Sequence, residues 1–144
     1  MTGTPSYMDT LIEDMRAHGG AVTQGRHAGH PLLVLTTTGA RSGTPRRSIL
    51  TWTRDGGDYI VAGTAGGSPT TPAWVHNIGA NPDVEIEVGN RFLKARGVIV
   101  QDGAERAGLW EKHVAQLPWF ADYPKKTDRV FPMVRLTPLD PDAA

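Results

Sequence analysis

The chain has 144 residues, of which 39% are hydrophobic and 21% charged, enough apolar material for the core of a single domain over residues 1–144. Fifteen Lys and Arg balance fifteen Asp and Glu, which excludes a globally basic surface for nucleic acid, and the lack of cysteine excludes disulfides, iron–sulfur clusters and thiolate metal sites. The start is polar and the longest aliphatic run, residues 32–35, is too short to span a bilayer, so a soluble cytoplasmic protein is expected.

Residues 1–20 read as an N-terminal helix. Ser6 is placed to cap it, Asp9 stands three positions on, and Tyr7, Met8, Leu11, Ile12 and Met15 recur at helical spacing until Gly19-Gly20 stops the pattern. Residues 22–29 read as loop, and the β-branched run 32–37 as a strand. A Gly-Ala-Arg-Ser-Gly turn follows at 39–43, then a strand at 48–53. Asp55-Gly56-Gly57 is a hairpin signal leading into a third strand at 59–64. Thr71 as cap and Pro72 as first residue open a short helix that ends before Asn81-Pro82. Val84, Ile86 and Val88 alternate with acids as in a half-exposed strand, and Gly89-Asn90 turns the chain into another at 91–100. Asp102 and Glu105 mark a helix start, with Ala107, Trp110, Val114 and Leu117 as its buried stripe. Residues 118–127 read as a short aromatic helix, 132–137 as a last strand and 138–144 as a tail. Six strands, antiparallel turns and marginal helices predict an α+β fold built on a closed or partly open barrel.

The charge is unevenly placed. No acid occurs between Met15 and Arg54, whereas that stretch holds Arg16, Arg26, Arg41, Arg46 and Arg47 before Arg54 itself. Glycine-freed amides, a hydroxyl and guanidinium forks at 39–47 suit a phosphate or carboxylate, although an ordinary hairpin has the same composition. The run Ala62-Gly-Thr-Ala-Gly-Gly67 would let a flat ring approach the backbone, or would simply be a loop. It is not a dinucleotide fingerprint, and 39–43 is not a Walker loop. His27 and His30 lack any Cys partner, so no metal is expected, and no serine-hydrolase elbow occurs. Trp119, Phe120 and Tyr123 cluster where they could cover a planar substrate or plug one end of a barrel.

In order, Leu35-Thr-Thr-Thr-Gly-Ala-Arg-Ser-Gly-Thr-Pro-Arg46, Gly66-Gly-Ser-Pro69, Pro72-Ala-Trp-Val-His-Asn77, Ala80-Asn-Pro82, Ala121-Asp-Tyr123 and Thr127-Asp-Arg129 resemble the deazaflavin-dependent nitroreductase family of actinobacteria. That family lies within the split β-barrel flavin and deazaflavin oxidoreductases. The resemblance implies an FMN-binding split-barrel-like fold and an enzyme using reduced coenzyme F420, with FMN the less favoured cofactor. It implies that Ala40, Arg41 and Ser42, with Arg46 and Arg47, meet the anionic phosphate and tail. Ser48, Ile49, Leu50 and Thr51 would border the deazaflavin, and Ala62, Gly63, Thr64 and Ala65 would face the ring or its ribityl chain. Ala73, Trp74, Val75, His76 and Asn77 would complete the groove, with Phe120 and Tyr123 over the pocket. Thr64 and Tyr123 are the candidate catalytic hydroxyls. Ala40 replaces a base that the family commonly carries, and Leu117 and Phe120 stand where some members have tyrosine. Hydride would pass to a small planar acceptor: an enone, an unsaturated lactone such as a coumarin, a quinone or a nitroaromatic. Neither nucleic acid nor metal is implied, membrane attachment is not expected, and the chain is a monomer or a homodimer. The alternatives are a protein that sequesters F420 without turnover, or a small barrel that binds nucleic acid.

Overall fold

A computed structural model of the chain describes residues 7–23, 25 and 28–139. Ser6 and the last five residues of the expected tail lie outside them. Helix α1 (Tyr7–Ala17) precedes strands β1 (Leu32–Thr38), β2 (Pro45–Thr51), β3 (Thr53–Asp55) and β4 (Asp58–Ala62). A 3-10 turn (Ala65–Gly67) leads to α2 (Ala73–Ala80), then β5 (Asp83–Val88) and β6 (Arg91–Val100). Helix α3 (Gly103–Gln116), a 3-10 segment (Pro118–Lys125) and β7 (Met133–Pro138) follow.

All pairings are antiparallel, in the order β2-β1-β5-β6-β7-β4-β3. The two edge strands, β2 and β3, are separated in sequence by Trp52 alone. The sheet must therefore curl until its edges nearly meet, which makes the α+β split barrel. Here the expected strand 48–53 is corrected: it is two strands, and the barrel has seven rather than six. Thr51 pairs with Leu32 of β1, whereas Thr53 pairs with Ile60 of β4. Alternation satisfies either partner equally well, so it carries no sign of the change.

The β5–β6 turn has positive φ at both loop residues, Gly89 (56°) and Asn90 (62°), as a two-residue hairpin of primed type needs. Gly20 (φ 98°) packs on it. A Cβ there would lie 2.6 Å from the Gly89 Cα, so the residue that ends α1 is also glycine for want of space. Helix α2 begins one residue later than expected. Pro72 is its cap, in extended conformation, and Thr71 is free to accept from Arg129 instead.

Leu33, Leu35, Val61, Ile86, Val134 and Leu136 form the barrel core with Ile78 of α2. Leu11, Ile12 and Met15 hold α1 against Leu32 and Val34. Under α3, Leu109, Leu117 and Phe120 pack on Ile60 and Met133. The expected α3 stripe is shifted: Ala107 is exposed, while Leu109 and His113 are buried. Arg106 shares the inner side, donating to the Phe131 carbonyl (2.8 Å) and lying over Trp110. A hydropathy reading scores Arg and His as outward-facing, and here both turn inward. The acids of β5 are likewise unequal, since Glu87 is buried against Arg16 (2.8 and 2.9 Å). Among the described residues no helix is long and apolar enough to cross a membrane.

Candidate active site

A cavity of about 590 Å³ opens between the barrel wall and the 3-10 segment. One side is Ile49, Leu50 and Thr51 of β2, Ala62 at the end of β4, Thr64, Ala65 and Gly66 of the following turn, and Trp74 of α2. The other side is Trp119, Phe120 and Tyr123, closed off by Tyr7, Met8 and Leu11 of α1 together with His30 and Leu32. No Asp, Glu, Lys or Arg lines it. The walls are flat and largely apolar, and the volume is that of a small-molecule site.

The aromatic wall is braced. Phe120 meets Tyr123 edge-on (5.1 Å between centroids) and His113 edge-on (4.6 Å), and His30 stacks on Trp119 (4.4 Å, 17° between planes). Behind it, burial pushes the His113 imidazole down to about 4. Its Nδ1 shares a 2.8 Å hydrogen bond with Thr53 Oγ1, and its buried Nε2 has no partner among the described residues.

The opposite wall is strained. Ala65, Gly66 and Gly67 take φ of 46°, 66° and 87° in succession. Small side chains make such a turn accessible and keep the wall thin. Gly63 is glycine for a different reason, because a Cβ would meet Pro132 Cγ at 2.8 Å and Val75 Cγ2 at 3.0 Å.

The arginine-bearing turn sits beside this cavity. Asn77 of α2 accepts from the Ala40 N–H (3.0 Å) and donates to Thr37 Oγ1 (3.0 Å), so the turn is docked on the helix that carries Trp74. Trp74 and Asn77 are three residues apart, about 4.5 Å along the helix axis. Within the turn, the Gly43 N–H donates to the Gly39 carbonyl (2.9 Å) and the Gly39 N–H to the Thr44 carbonyl (2.8 Å), and the Ser42 hydroxyl bonds Thr44. Arg41 and Arg46 are exposed and make no ion pair with the described residues. Arg47 points elsewhere: it pairs with Asp9 (3.0 Å) and lines a groove on the outer face with Arg16 and Phe92.

The structure thus gathers Ile49, Leu50, Thr51, Ala62, Thr64, Ala65, Trp74, Phe120 and Tyr123 around one cavity. Ala40, Arg41, Ser42 and Arg46 stand at the neighbouring turn. Ser48, Gly63, Ala73, Val75, His76 and Asn77 do not line the cavity. Val75 is core, and Ala73 and His76 are exposed on α2. Sequence reasoning did not find Tyr7, Met8, Leu11 or His30 at the site, because contacts across twenty to a hundred residues leave no local trace. Among the described residues no three potential metal ligands gather.

The profile of a family described as F420H(2)-dependent quinone reductase matches residues 9–138. An F420H(2)-dependent quinone reductase of Mycobacterium tuberculosis strain H37Rv is 39% identical over 109 residues, 74% of this chain and 73% of that protein. Among solved structures, one described as the F420-H2 dependent reductase FDR-A is 34% identical with a TM-score of 0.66, covering 74% of this chain and 93% of that one. Another, described as a domain-swapped dimer, is 33% identical with a TM-score of 0.68, covering 91% of this chain and 99% of that one.

Proposed function

The chain belongs to the F420H(2)-dependent quinone reductase family, oxidoreductases whose cofactor is coenzyme F420, and from that premise we propose that its cavity brings the cofactor ring against a quinone. The observation that carries this reading is a cavity with two unlike walls, one carrying the small residues Ala62, Thr64, Ala65 and Gly66, the other aromatic. A planar ring fits the first, with residues 49–51, 62 and 64–66 against its face and Trp74 at its end. Arg41 and Arg46, free of acidic partners among the described residues, are placed to hold the anionic phosphate and tail at the neighbouring turn. Arg47 would have to leave Asp9 to join them. The bound reduced cofactor supplies the hydride.

The chain's own work is placement. Phe120, Tyr123 and Trp119 hold the acceptor parallel to the ring, and the apolar lining keeps water out of the space between them. Hydride and one proton together convert a quinone to its hydroquinone. Thr64 or Tyr123 hydrogen-bonds and polarises the acceptor oxygen, and solvent supplies the proton. An enone, a coumarin or a nitroaromatic presents a comparable flat, electron-poor face, so these are further acceptors.

The test is a fluorescence titration with F420 and with FMN, then reoxidation of reduced F420 by menadione, a coumarin and a nitroaromatic. Selective F420 binding with menadione turnover is expected. Binding of neither cofactor would refute the proposal, and tight binding without any turnover would leave a sequestering protein.

A further inference from the structure

Thr127-Asp-Arg129 is a resembling motif with no residue at the cavity. Arg129 nonetheless spends its whole guanidinium on the loop that forms the thin wall. Nη1 donates to the Gly63 carbonyl (3.0 Å) and reaches Thr71 Oγ1 (3.4 Å). Nη2 donates to the carbonyls of Thr64 (3.0 Å) and Ser68 (2.9 Å), and Nε also donates to Ser68 (3.1 Å). The guanidinium also lies over the Phe131 ring, 4.7 Å from its centroid. No acid among the described residues is paired with it, and burial lowers its pKa.

The tethered segment is the strained one. Ala65 at φ 46° is a left-handed residue with a side chain, and it stands between two carbonyls that Arg129 holds. Such a conformation persists only where its surroundings over-determine it. The planar fork satisfies three carbonyls at once, which a lysine ammonium on a flexible stem cannot reproduce. It also sets an uncompensated positive charge directly behind Thr64, Ala65 and Gly66, all of which face the cavity.

We propose that Arg129 is a positioning residue: its fork holds residues 63–68 in the shape that accepts a planar ring, and its charge favours a ring bearing negative charge. The ring-binding half of this rests on the function proposed above, whereas the tether does not.

The experiment uses Arg129→Lys and Arg129→Gln in the full chain. In cofactor-free protein, amide hydrogen exchange at residues 64–68 is expected to quicken about tenfold or more in both variants, with β1, β5 and β6 unchanged. F420 affinity is expected to fall about tenfold or more in both. The midpoint potential of bound F420 should move negative in Arg129→Gln and much less in Arg129→Lys, which keeps the charge. Wild-type exchange rates at 64–68 in either variant would overturn the tether. Faster exchange with unchanged F420 affinity would overturn the link to the ring, as would full rescue of affinity by lysine. Failure of the wild-type protein to bind F420 would sink the functional reading and with it the ring-binding half, while the exchange rates still decide the tether.

Discussion

Among the described residues His113 is the imidazole that folding encloses completely, and acid should find it first. Burial holds its pKa at about 4 against an ordinary 6.5, so between those values the unfolded chain binds a proton that the folded chain refuses. Stability must then fall as pH falls through 6.5, and it continues to fall until about pH 4. Those two values give a loss of about 2 kcal/mol between pH 7.5 and pH 5 and about 3 kcal/mol once both states are protonated. The Asp55 carboxyl, held below its usual range by hydrogen bonds from Lys112 and Arg135, acts only below pH 3.8 and leaves this window clear. Urea unfolding followed by tryptophan fluorescence at pH 7.5, 6.5, 5.5 and 5.0 reads the effect as a midpoint shift of about 1 M. His113→Leu keeps the volume, leaves the Thr53 hydroxyl unpaired, and should lose about 1 kcal/mol at pH 7.5 while flattening the pH dependence. Comparing variant with wild type removes every other titrating group from the result. Equal slopes in the two proteins would refute the reasoning.

Other outcomes follow from the same geometry. Arg41→Glu should weaken F420 binding roughly tenfold at low salt and less at high salt, and unchanged affinity at low salt would remove the tail site from the 39–44 turn. Asn77→Ala removes the bonds to Ala40 and Thr37 at a buried position, so thermal unfolding should show a loss of about 2 kcal/mol. The same variant should bind F420 more weakly because the turn is no longer docked on α2. Tyr123→Phe should lower turnover with menadione several-fold while F420 affinity holds, and an unaltered rate would leave Thr64 or water as the group at the acceptor oxygen.

Much of the architecture was legible along the chain because it is local. Gly89-Asn90 and Asp55-Gly56-Gly57 dictate hairpins through their own backbone freedom. Gly19-Gly20 ends a helix, and the apolar alternation of β5 and β6 follows from one buried face. The resemblance reached further, naming nine residues that the fold does bring around one cavity, since motifs keep their spacing even where the contacts are distant. What no local pattern carries is the choice among partners. Thr51 and Thr53 have like propensities, yet the chain leaves β1 for β4 between them, because only a curled sheet buries both faces of the core. Arg106 and His113 turn inward because a carbonyl and a hydroxyl await them across the fold. Tyr7, Met8 and Leu11 read as an ordinary helix stripe, and folding of α1 against β1 makes them a cavity wall. Arg129 shows the distinction most sharply: its place in a motif is a matter of sequence, but its five hydrogen bonds exist only because β4 and β7 pair and bring residues 63–71 beneath its guanidinium.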